Sequence, residues 1–209
     1  MKINKITIED NEEFLRQISK PVNFPDENLE NDIKILEEYF KISSITLALA
    51  AIQLGIPKRL IYLKNTNLDV INRKNNDIAT EEDKLYNENR ILINPIILSQ
   101  EGLTDYWEAC ASCLNYVGHV FRPYRIKIEY QDIHGHFHKE IFEGFESTVL
   151  SHEIDHLNGI LHIDIADEVL EMTREERKIF RKTHDYNIIS KDGDFNELKN
   201  NCKKKIIRK

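Results

Sequence analysis

A mixed helix-and-strand fold around one core is predicted by three observations. Apolar residues recur at helical intervals in two separated stretches: Leu29, Ile33, Leu36 and Phe40, then Phe145, Val149, Leu150, Ile154 and Leu157. Between them, Ile126, Ile128 and Tyr130 alternate with polar residues, as a half-buried strand does. With 209 residues, 7 glycines and 5 prolines, the chain can bury one sizeable core and is neither low-complexity nor fibrous.

The first helix is expected from Asp26 to Lys41, with a capped start after Pro25 and its apolar stripe turned to the core. Ile45 to Gly55 is small and apolar and leads into Leu60-Ile61-Tyr62-Leu63, which reads as a buried strand. Polar residues dominate from Asn65 to Arg90, an expected exposed and mobile insertion. Ile91 to Leu98 is strand-like, with Pro95 marking an edge or a bulge. A hairpin follows, its second arm Phe137 to Ile141 returning after a turn at His134-Gly135. His134, His136 and His138 read as a solvated hairpin face, with a second metal site as the alternative and no anionic partner at a convincing spacing. The helix from Phe145 to Asn158 should stop at Gly159, and Ile160 to Ile163 suggests a short strand. Thr173-Arg174-Glu175-Glu176 has the form of a capping box opening a helix to about Lys182. One domain is expected over residues 1–188, with residues 189–209 as a polar to basic tail.

The formal charge of −7 favours solubility and gives no whole-protein electrostatic reason to bind nucleic acid. Basic residues nevertheless crowd the end of the chain at Lys203, Lys204, Lys205, Arg208 and Lys209. Three cysteines, Cys110, Cys113 and Cys202, cannot all pair, so a reducing compartment and a cytoplasmic setting are expected. Met1 to Asp10 resembles neither a signal peptide nor an organellar presequence, and no segment approaches the roughly 20 apolar residues that span a bilayer.

The chemistry concentrates in His152-Glu153-Ile154-Asp155-His156. On a helix the two histidines stand one turn apart on one face and can hold the same ion, with Glu153 beside them as an acid/base. A third protein ligand would leave one position for water. The apolar flanks bury this helix, and buried, unpaired imidazoles would be costly. Cys110 and Cys113 both lie upstream as candidate thiolates.

Three stretches, in order, resemble the peptide deformylase family: Thr46-Leu47-Ala48-Leu49-Ala50-Ala51-Ile52-Gln53, Glu108-Ala109-Cys110-Ala111-Ser112, and His152-Glu153-Ile154-Asp155-His156. The family forms are Gly-x-Gly-Leu-Ala-Ala-x-Gln, Glu-Gly-Cys-x-Ser and Gln-His-Glu-x-x-His. The matching region runs from about Lys5 to Asp164; a thermolysin-like protease shares only the last motif. Thr46, Ala48, Ala109 and Ser151 depart from the family residues. Spacing from His152, the preceding Glu108 and the following Arg122-Pro123 select Cys110 over Cys113 as the family's ligand cysteine, and leave Cys113 as a small apolar core residue.

The resemblance implies an α+β fold in which antiparallel β-sheets surround a central metal-binding helix. It implies that Cys110, His152 and His156 bind one divalent metal, Fe2+ as first choice, with Zn2+, Ni2+ or Co2+ able to replace it. Glu153 would be the acid/base, and the Gln53 amide and the Ala111 backbone N–H would face the oxyanion. Thr46 and Ala48 would border the peptide groove, and Tyr106, Phe145 and Val149 would line a hydrophobic pocket for methionine. Glu108 and Arg122 would pair to stiffen the cysteine loop. The implied activity removes the N-formyl group from nascent polypeptides that start with formylmethionine. The alternatives are a divergent paralogue with weak or altered activity, a metallopeptidase, or a ribosome-associated binding module using the basic tail.

Overall fold

The computed structural model describes residues 4–43, 46–64 and 89–207. The expected insertion from Asn65 falls, up to residue 88, outside the described residues. Helix α1 (Ile8–Leu15) opens with a Thr7–Asp10 capping box and contains a non-helical Asn11. Helix α2 (Leu29–Ile42) follows, then strand β1 (Ala48–Ala50), a 3-10 turn (Ala51–Leu54) and β2 (Leu60–Leu63). The centre is β3 (Arg90–Cys110), β4 (Cys113–Arg122), β5 (Arg125–Gln131) and β6 (Phe137–Glu143). Helix α3 (Gly144–Leu157) carries the paired histidines. After it come α4 (His162–Ile165), β7 (Glu168–Glu171), α5 (Arg174–Phe180), β8 (Asn187–Asp194) and α6 (Phe195–Ile207).

The eight strands form one antiparallel network, and β3 is its spine: β2, β5, β4 and β8 all pair with it. A strand this long must change partners along its length, and two irregularities let it do so. Asn94 takes a positive φ of 53° just before Pro95, where the register with β5 shifts. Its side chain fixes that bulge by accepting from Val22 N–H (2.8 Å) and donating to Val22 O (2.9 Å) and to Gln131 Oε1 (2.8 Å). Gly102 sits where β3 passes from β5 toward β4 and β8; a Cβ there would lie 2.6 Å from Ser190 O.

Several expectations need correction. The strand read as ending near Leu98 continues to Cys110. Ile160 to Ile163 is not a strand; His162–Ile165 forms a short helix, and a four-residue apolar run cannot separate these by periodicity. Helix α2 starts at Leu29 with no side-chain cap; Asp26 instead accepts from Asn28 N–H and from Lys58 Nζ. Within the stretch expected as a polar to basic tail, the described residues 189–207 hold most of β8, which pairs with β3, and α6.

Helix α3 is buried on both sides, with ten of its 14 residues in the interior. Leu150, Ile154 and Leu157 pack with Ala48, Ala50, Ile61, Leu92, Ile126, Ile128 and Phe142 from the surrounding strands. A second core gathers Leu36 and Phe40 of α2 against Leu49, Leu60 and Tyr62, with Phe40 and Tyr62 stacked at 4.2 Å. The stop expected at Gly159 also serves packing: φ is +74°, and a Cβ would meet Arg16 O at 2.2 Å. Gly159→Ala should therefore destabilise the protein by about 1–3 kcal/mol, read as a lowered urea midpoint with an unchanged slope.

Candidate metal centre and active site

The polar side of α3 meets the hairpin where β3 ends and β4 begins. Cys110 and Cys113 are direct partners across the Ala111–Ser112 turn. Cys110 Sγ lies 3.1 Å from His156 Nε2, and ligand atoms of Cys110, His152 and His156 all lie within 4.8 Å of one another. Cys110 and His156 are buried and His152 is nearly so. One thiolate and two imidazoles converging in a water-poor site are a suitable donor set for a single divalent ion of the first transition row.

Behind the ligands runs a chain of buried charge. His152 Nδ1 is 2.8 Å from Glu108 Oε2, which leaves Nε2 as the free donor of that ring. Glu108 accepts from Arg122 Nε (2.7 Å) and Nη2 (3.0 Å), and Arg122 Nη1 donates to Asp155 Oδ2 (2.5 Å). Burial alone would push Glu108 up, but the Arg122 charge and the His152 hydrogen bond hold it well below the usual carboxylate range. Arg122 stays charged despite burial because Glu108 and Asp155 surround it. Burial would likewise push the Cys110 thiol up; the bond with Cys113 and the His156 and His152 imidazoles bring it well below the usual thiol range. Ser112 N–H also donates to the sulfur at 3.3 Å.

Glu153 is buried, and its Oε2 accepts from Ala50 N–H at 2.8 Å. Burial raises its pKa. The same N–H donates to Gln53 Oε1 at 3.1 Å, and Gln53 Nε2 donates to Ser112 Oγ (3.0 Å) and toward Cys110 Sγ (3.6 Å). The glutamine amide is thereby oriented with its NH2 toward the cysteine. Ala111 is half-buried in the turn after Cys110. The chain's beginning braces both sides: Ile6 N–H donates to Gln53 O (2.7 Å) and Ile8 N–H to Ser112 O (2.9 Å).

The remaining candidates lie around this centre. Thr46 shares a 2.5 Å hydrogen bond with Ser43, while Ala48 belongs to the apolar core. Tyr106 and Phe145 meet edge to face at 5.4 Å, and each also packs on Tyr186. Val149 is half-buried against the main core. His136 and His138 are exposed and both face Asp132, which also accepts from His134 N–H; an anionic partner is thus present, contrary to expectation. Among the described residues that hairpin forms no converging group of three ligands.

Sequence reasoning missed Asp155, Ser112, Tyr186 and His162 as neighbours of the site. Asp155 was within the quoted motif, but its partner is on a distant strand. His162 is buried with its ring 5.7 Å from that of His152 and its pKa pushed down to about 4, chiefly by burial, so it is neutral at ordinary pH.

A helix presents two histidines and a buried glutamate to a cysteine at a hairpin tip, inside an antiparallel sheet, and the cysteine and histidines could hold one metal ion, as in mononuclear metallohydrolases. A family model described as polypeptide deformylase matches residues 3–171. The peptide deformylase of Afipia carboxidovorans is 36% identical over 159 residues, covering 74% of this chain and 82% of its own. That of Pelagibacter ubique is 36% identical over 171 residues, covering 81% and 89%. The solved peptide deformylase of Thermotoga maritima aligns with a TM-score of 0.62 at 30% identity, covering 80% of this chain and 99% of that one. The chain belongs to the polypeptide deformylase family. Strand β8 and helix α6 lie beyond the matched residues.

Because Glu108 orients a ligand, Glu108→Gln should lower metal affinity roughly 10–100-fold, measured by competition with a chromophoric chelator on protein whose far-UV circular dichroism is unchanged.

Proposed function

We propose that this family member hydrolyses the N-formyl amide of nascent polypeptides beginning with formylmethionine, giving formate and a free α-amine. The observation that carries this reading is the convergence of Cys110, His152 and His156 with Glu153 and the Gln53 amide, the last two fixed by one backbone N–H at Ala50. Cys110, His152 and His156 would hold one divalent ion, Fe2+ as first choice, with Zn2+, Ni2+ or Co2+ as replacements. When bound, the ion supplies a Lewis acid that polarises the formyl carbonyl and eases deprotonation of water.

The protein's own groups carry the remaining steps. Glu153 takes the proton of the attacking water as the C–O bond forms, and returns it to nitrogen as the C–N bond breaks. Burial that raises its pKa suits a carboxylate that must hold a proton between those two events. Charge developing on the carbonyl oxygen is met by Gln53 Nε2–H and Ala111 N–H. Because Ala50 N–H anchors Gln53 Oε1, the donor end of the amide is turned toward the cysteine, where it would exchange a present partner for the oxyanion. Tyr106, Phe145 and Val149 offer methionine an apolar site, and Thr46 and Ala48 border the path of the peptide backbone. Glu108 and Arg122 position rather than react. The catalytic domain expected over residues 1–188 is kept, with β8 and α6 packed onto it.

Free Cys110, Cys113 and Cys202 fit a cytoplasmic setting, where such chains emerge. No described helix is long and apolar enough to cross a membrane. A ribosome contact is the second part of the proposal, motivated by Lys199, Lys203, Lys204 and Lys205 on α6. Lys203 is tied to Asp167 at 2.8 Å, so Lys204, Lys205 and the residues after them would carry the attraction to RNA phosphates.

Glu153→Ala should keep about one metal per chain yet release formate from formyl-Met-Ala-Ser roughly 10²–10⁴-fold more slowly. Undiminished turnover would remove Glu153 from the chemistry, and cleavage of unformylated peptides would point to a peptidase. Deleting residues 203–209 should leave peptide turnover intact but weaken ribosome cosedimentation and flatten its salt dependence; unchanged cosedimentation at low salt would end that part of the proposal.

A further inference from the structure

Cys110 belongs to a second converging group. Its sulfur, the sulfur of Cys113 and a ring nitrogen of His162 all lie within 4.8 Å of one another, and all three residues are buried. Two of them come from the β3–β4 hairpin tip, and His162 opens α4, which follows the turn at Gly159. The local packing makes room for the ring: Gly118 has no side chain, and a Cβ there would lie 3.2 Å from His162 Cδ2.

His162 is the independent observation. It is 1% exposed, and among the described residues neither ring nitrogen has a hydrogen-bond partner. Burying an imidazole without partners is costly, so such a ring either tolerates that cost or has a ligand to bind. Here the nearest chemistry is two sulfurs. Leu15 and Leu161, with Ile6, Ile8 and Ile163 against them, pack around the two cysteines.

We propose that Cys110, Cys113 and His162 form a second metal position, suited to a thiophilic ion such as zinc, that shares Cys110 with the Cys110–His152–His156 group. Two thiolates and one neutral imidazole favour a borderline-soft ion over the harder ones that carboxylate sites select. Binding releases the Cys113 proton to solvent, since the thiolate is the ligand. Because one sulfur serves both groups, an ion here draws on the electron density that the first position uses. Excess thiophilic metal can thus compete at the centre without occupying the substrate's place.

The test uses the full chain carrying Cys202→Ser, so that only the two buried thiols report, titrated with cadmium and followed by thiolate-to-cadmium ultraviolet absorption. The parent should reach a plateau about twice that of a Cys113→Ser partner, two bound thiolates against one. His162→Gln should move the second part of the rise to about tenfold higher cadmium. Equal plateaus, or an unmoved second rise in His162→Gln, would overturn the proposal. Should either variant misfold, zinc K-edge absorption of the unsubstituted chain, freed of unbound metal, decides: a mean sulfur count per bound zinc that rises from about one toward about one and a half as a second zinc is taken up upholds the site, and a single sulfur at every loading refutes it.

Discussion

Arg122 is the group on which the rest of the site depends. It stands on β4, grips Glu108 on β3 with two nitrogens and Asp155 on α3 with the third, and Glu108 in turn holds His152. One side chain thus ties β3, β4 and α3 together. The energetic role is asymmetric. Burying such a network gives little net stability, because desolvation offsets the attraction, but removing one member strands a buried charge at a cost of about 3–5 kcal/mol. What the network supplies is geometry: the carboxylate of Glu108 fixes the tautomer and ring orientation of His152.

The other half of the centre is set by backbone. Ala50 N–H is shared between Gln53 Oε1 and Glu153 Oε2, so both side chains are placed by the same atom. That atom ends β1, whose pairing with β2 places Ala50 opposite Ile61 in the main core. The N-terminal arm then closes the arrangement from outside, bonding to the carbonyls of Gln53 and Ser112. Small residues at Ala48 and Ala50 let α3 pack close to this strand.

Local signals were legible in the sequence and long-range ones were not. The 3.6 period found α3 nearly to the residue, alternation found the β5–β6 hairpin, and the Thr173–Glu176 box opens α5 as its spacing requires. The bulge that Pro95 marks is there, with Asn94 held by Val22 and Gln131, far away in sequence, but the continuation of β3 beyond Leu98 shows only in its pairing with β4, β5 and β8. Strand β8 was hidden for another reason: it is an exposed edge strand with a largely polar sequence, and only its pairing with β3 identifies it. The same division runs through the site. His152, Glu153 and His156 are carried by short spacings and Cys110 by the family resemblance, but Asp155 at Arg122, Ser112 at Gln53 and His162 beside the two cysteines become visible only when distant segments meet.

Helix α3 has to reconcile two opposite demands, because a helix that presents imidazoles and a carboxylate to the interior desolvates groups that prefer water. Its opposite face supplies the compensation. Leu150, Ile154 and Leu157 are almost fully removed from solvent among strands β1, β2, β3, β5 and β6, each contributing roughly 1.5–3 kcal/mol of transfer free energy. The core stripe therefore does more than seat the helix: it holds the polar face in place when that face alone would favour turning toward solvent. A methylene lost from the stripe should be felt at the ligands as well as in stability, since packing this dense transmits small shifts rather than absorbing them.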